Sequence, residues 1–63
     1  MIIRRSWSND LYAFFCADEM DKMGIRIIAV VCVPPNGNWE VWGQSDKPID
    51  YNELDRRTNE RMD

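Results

Sequence analysis

Histidine is absent from this 63-residue chain, cysteine occurs twice and glycine three times. Without histidine there is no imidazole to act as general base or metal ligand. Two thiols, Cys16 and Cys32, are too few for a structural zinc site or a disulfide-dense scaffold. No glycine-rich phosphate loop occurs, and no Ser or Cys sits in a glycine-rich elbow. The expectation is therefore a protein that is not an enzyme, with no cofactor, no metal and no catalytic residue. Long apolar runs are missing too: the longest, Ile27 to Val33, falls far short of the roughly 20 residues of a membrane span. The opening MIIRRSWSND places its charges after two isoleucines with no apolar region behind them. No secretory signal is expected, and the chain reads as soluble and cytoplasmic. Basic residues are in deficit, eight against eleven acids, for a net charge of −3. That balance argues against nonspecific attraction to nucleic acid or to an anionic membrane surface.

Apolar residues, by contrast, are sufficient for a fold: 44% of the chain, with three tryptophans, is the composition of a globular protein. Residues 1–63 read as a single small domain. A chain of this length buries only about 60% of its unfolded surface, and one so small core rarely supplies more than about 3–5 kcal/mol. Reinforcement by self-association or by a partner is expected. Both cysteines lie in apolar runs, AFFCA and VVCVP, where reduced, buried thiols acting as small hydrophobes are expected.

Local grammar then divides the chain. Ile2 to Ser6 is short and β-prone. Tyr12, Cys16, Met20 and Met23 recur at helical spacing, widened by Leu11 and Phe15; Ser8 or Asn9 can cap the start, and Gly24 stands where a helix would stop, which predicts a helix over 9–23. The same aromatics also read as a strand, LYAFFCA, pairing back onto IIRRSW to make a four-stranded meander. Ile25 to Val33 is β-branched nearly throughout, as in an interior strand. PPNGN then reads as a five-residue hairpin loop and Trp39 to Gln44 as the returning strand, with Val33 facing Trp39, Val31 facing Val41 and Ala29 facing Gly43 on the covered side. Glu40 and Trp42 fall on the opposite, partly exposed face. The tail, 49–63, reads as a polar helix capped by Asp50 and stapled by Ile49 to Leu54, with Glu53–Arg57 and Arg56–Glu60 pairs. Its apolar stripe of Tyr51, Leu54, Thr58 and Met62 is thin, so it should dock by its first turn and project at its end. The fold class is α+β: a small antiparallel sheet made of the N-terminal strand plus the 25–44 hairpin, one helix packed on a face, and the polar C-terminal helix.

Function is less legible. An exposed tryptophan beside charges is the composition of a protein-binding hot spot. The expectation is a protein-binding module, a small regulator or inhibitor that occupies another protein's surface through Trp7, Asp18, Glu19, Asp21, Glu40 and Trp42. A short, acidic chain of this kind is consistent with accessory proteins of phages and other mobile elements, and the 18–21 acids would sit on a solvated face able to imitate nucleic-acid phosphate. A competing class is a nucleic-acid binder using Arg4, Arg5, Trp7 and Arg26, although strand alternation splits Arg4 from Arg5. A third is a structural subunit forming a homodimer or larger oligomer through its sheet edge. One prediction rests on the sequence alone: Asp50→Ala removes the tail helix's N-cap and should lower stability by about 0.5–2 kcal/mol in chemical denaturation.

Overall fold

The computed structural model describes residues 1–62, in the order β1 (Ile2–Trp7), α1 (Asp10–Lys22), β2 (Arg26–Val33), β3 (Asn38–Gln44) and α2 (Tyr51–Glu60). Its three-stranded sheet is antiparallel with the order β1-β3-β2, which leaves the N-terminal strand at one edge and β2 at the other. The α+β class therefore holds, and the meander does not: residues 10–22 are a helix. Local signals decide that choice. Asn9 Oδ1 accepts from the Tyr12 backbone N–H at 3.0 Å, and the helix ends at Gly24, whose φ of 82° a side chain would disfavour. The Gly24 N–H donates to Asp21 O and the Ile25 N–H to Met20 O, both at 3.0 Å, closing a Schellman motif.

Both helices lie on one face of the sheet. Helix α1 packs on all three strands, and α2 packs on α1. The core between them is Ile3, Ala13, Cys16, Met20, Ile25, Val41 and Leu54, with Trp7, Ile27, Val30, Trp39 and Ile49 packed around it. Gly43 is required at the centre of this face: a Cβ there would stand 2.5 Å from Met20 Cε and 2.7 Å from Ile25 Cγ2. The tail begins as its sequence indicates, with Asp50 Oδ1 accepting from the Asn52 and Glu53 N–H groups at 3.0 and 3.2 Å.

The expected hairpin register is displaced by one residue. Gly37 N–H donates to Val33 O at 3.1 Å with a φ of 73° at Gly37, so the loop ends there and Asn38 pairs directly with Val33. Consequently Cys32 faces Trp39, Val31 faces Glu40, Val30 faces Val41 and Ala29 faces Trp42. A bulge between Ile27 and Ala29 restores the phase, bringing Ile27 opposite Gly43. The covered face of β2 is thus Ile27 and Val30 rather than Ala29, Val31 and Val33. A second correction follows for the thiols, because Cys16 is buried but Cys32, at the end of the ribbon on an edge strand, is exposed. Burial also pushes the Cys16 thiol up, which further suppresses the reactive thiolate. Native protein should therefore give one thiol that labels rapidly with maleimide and one that labels only after denaturation; Cys32→Ser should abolish the fast phase, as followed by mass spectrometry.

Candidate functional site

The sheet face opposite the helices has no described element against it. Register assigns its side chains. Along β3, Trp39, Val41 and Gly43 face the helices, so Asn38, Glu40, Trp42 and Gln44 face outward. Their cross-strand neighbours on the outward side are Ser6, Arg4 and Ile2 of β1 and Val31, Ala29 and Arg26 of β2. Trp42 occupies the centre. Its Nε1 donates to Glu40 Oε1 at 3.0 Å, and the Arg4 guanidinium lies over the indole 5.6 Å from its centroid. Arg26 Nη2 donates to Gln44 Oε1 at 2.7 Å. Around this polar-aromatic centre, Ile2 is 54% exposed, Val31 42%, and Ile28, the extra residue of the bulge, 52%.

Of the residues expected to contact a partner protein, Glu40 and Trp42 share this face, together with Arg4 and Arg26 of the nucleic-acid reading; Trp7, Asp18, Glu19 and Asp21 do not. Trp7 faces the helices, where its ring stacks on Tyr12 at 5.5 Å and its Nε1 is buried without a hydrogen-bond partner. Arg5 also points to that side, paired with Asp55 and lying 5.0 Å from the Tyr51 centroid, so Arg4 and Arg5 serve opposite faces. The acidic stretch is not a uniformly solvated face. Asp21 is exposed, but Glu19 is buried, accepting from Arg61 Nη1 at 3.0 Å and Lys22 Nζ at 3.3 Å, with Arg57 Nη1 at 3.8 Å. Asp18 pairs with Arg61 and with Lys22. Pairing is what makes the burial of a carboxylate tolerable. Arg61 additionally stacks on Phe15, 4.5 Å from the centroid, so α2 is held along its whole length and does not project. Counting apolar residues alone hid this contact, whose signal was the i,i+4 spacing of Arg57 and Arg61 on the stripe side of the tail.

A cleft of about 420 Å³ between the end of α1 and the loop entering α2 is lined by Met23, Gly24 and residues 45–50. Of its polar lining, the Ser45 hydroxyl donates to Lys47 O at 2.8 Å and Asp50 is the cap of α2. Among the described residues, no group of three His, Cys, Asp or Glu side chains is placed to hold a metal ion, and no helix is long and apolar enough to cross a membrane. Comparison with protein-family models, with curated proteins and with solved structures finds no match.

The ion-pair cluster between the helices sets an acid limit. The hydrogen bond from Arg61, supported by Lys22, holds the Asp18 carboxyl below its ordinary range; those from Arg56 and then Arg57 do the same for Glu53. A carboxylate whose folded-state pKa is depressed contributes stability above its unfolded value and loses it as pH falls through the folded value. Melting temperature should hold steady from neutral pH down to about 5 and decline below about 4. That decline should be shallower in Asp18→Asn, and an unchanged acid limb would exclude the cluster as its origin.

Proposed function

We propose that this protein is a non-enzymatic protein-binding module, a small regulator or inhibitor that lays the outward face of its sheet on another protein's surface. The observation that carries this reading is the half-exposed apolar ring of Ile2, Ile28 and Val31 around Trp42 on a face with no described element over it. Antiparallel sheets tolerate one solvated face, but that face is then normally polar. An aromatic anchor bordered by aliphatic side chains and charges is the make-up of a hot spot. Charge narrows the partner. Arg4 and Arg26 are the cations of this face, and its one acid, Glu40, is already bonded to Trp42. The surface that fits is apolar at its centre with carboxylates placed to meet the two arginines. Glu40 acts here as an orienting group that holds the indole, while Asp18 and Glu19 serve the helix pair.

Trp42→Ala should leave the circular dichroism spectrum intact, since the indole lies outside the core, and should weaken a partner captured by wild type by about 2 kcal/mol, roughly thirtyfold. Leu11→Ala, an exposed apolar change on the helix side, should bind as wild type. A partner that Trp42→Ala retains at full affinity refutes the assignment of this face.

A further inference from the structure

The outer edge of β2 carries an inference independent of the open face. Among the described residues its strand neighbour is β3, and no other strand pairs with the outward N–H and C=O groups of this eight-residue strand. Sheets usually blunt such an edge with charge, proline, short length or a covering element. The other edge follows that rule: β1 has six residues, two of them arginine, and Arg5 is tied to Asp55 of α2. β2 does not. From Ile27 to Val33 it has no charge and no proline, and its one irregularity, the bulge, leaves Ala29 to Val33 regular. Apolar side chains flank the edge on both sides, with Ile28 and Val31 on the open face and exposed Cys32 on the helix face. Beyond Cys32, Phe14 of α1 is 51% exposed and reaches Trp39, the cross-strand partner of Cys32.

We infer that this edge receives a second copy of the chain, the two β2 strands pairing antiparallel about a two-fold axis at Val31 to join both sheets into one. Charge favours a copy at this place. Two chains of net charge −3 repel overall, and a strand that carries no acid from Arg26 to Val33 adds no like-charge pair of acids to the joint. Antiparallel pairing also sends the two Arg26 side chains to opposite ends of the joint. With the axis at the middle of the regular stretch, Val31 meets Val31, Val30 meets Cys32 and Ala29 meets Val33. These are small or β-branched pairs that suit a cross-strand ladder, and no like charges are opposed. Because β1 is blunted, each copy offers one such edge and the assembly closes at two.

Sedimentation equilibrium over a concentration series should show a reversible monomer–dimer exchange. Val31→Lys sets two ammonium groups against each other at the axis without touching the core, and should raise the dissociation constant by about tenfold or more. Trp42→Ala should leave the constant unchanged, which separates this interface from the open face. In a Cys32→Ser background, Val31→Cys should be joined into a covalent dimer by a short bis-maleimide, whereas Ile2→Cys on the other edge should not. A single-chain mass at every concentration, growth beyond the dimer, or equal cross-linking from Ile2→Cys would overturn the inference. If Val31→Lys does not fold, the pair of cross-linking variants decides the question.

Discussion

The space above Gly43 sets how the layers of this protein meet. Gly43 lies in the middle strand, paired with Ile3 on one side and Ile27 on the other, and the Met20 and Ile25 side chains come down onto it where a Cβ would stand. Met20 and Ile25 are also the two ends of the Schellman bond that terminates α1. One missing methyl group therefore determines how closely the end of α1 and the start of β2 approach the sheet. Because interiors are close-packed, a displacement there is transmitted to Ile3 and Val41 as well.

A core of this size cannot hold a second helix by apolar burial alone. Leu54 and Thr58 are the buried residues of α2, and Thr58 Oγ1 turns back to Leu54 O at 2.9 Å. The rest of the attachment is ionic: Glu19 under Arg57 and Arg61, Arg61 on Phe15, and Arg5 across to Asp55. Partial burial makes these pairs more effective than solvated ones, and it engages Asp18 and Glu19 of α1 within the chain. Both helices are thereby drawn to one side of the sheet. The other side is left with Trp42, and its two neighbours in charge, Arg4 and Glu40, are engaged with the indole itself.

Signals that act within a few residues were legible in the sequence. The Asn9 cap, the Gly24 stop, the Asp50 cap and the Glu53–Arg57 and Arg56–Glu60 pairs all depend on short spacing, and each stands where the chain itself indicates, while Ile49, expected to staple to Leu54, packs against the core cluster. The separation of Trp39 from Trp42 was legible for the same reason, since three residues along a strand reverse the side-chain direction whatever the neighbouring strand does. The β-branched run from Ile25 to Val33 likewise identifies a strand, because χ1 restriction disfavours a helix there, but it is an edge strand and not the interior one its apolar faces suggested.

What only the tertiary structure decided was every relation between distant segments. Whether the loop closes at Gly37 or one residue later is a difference of a single hydrogen bond, yet it re-pairs every residue of β2 with β3 and exposes Cys32. The insertion of β3 between β1 and β2 and the burial of Glu19 arise from contacts across many tens of residues, which no local spacing encodes; the docking of α2 along its whole length is of the same kind, with the i,i+4 spacing of Arg57 and Arg61 as its one local sign. Composition and periodicity determined which segments are strands and helices, since those depend on backbone and side-chain preferences residue by residue. Alternation along β3 already separated the face of Glu40 and Trp42 from the covered one, whereas three-dimensional packing alone determined the strand order and with it the two edges of the sheet, since these depend on where the distant segments find enough apolar area and opposite charge to settle.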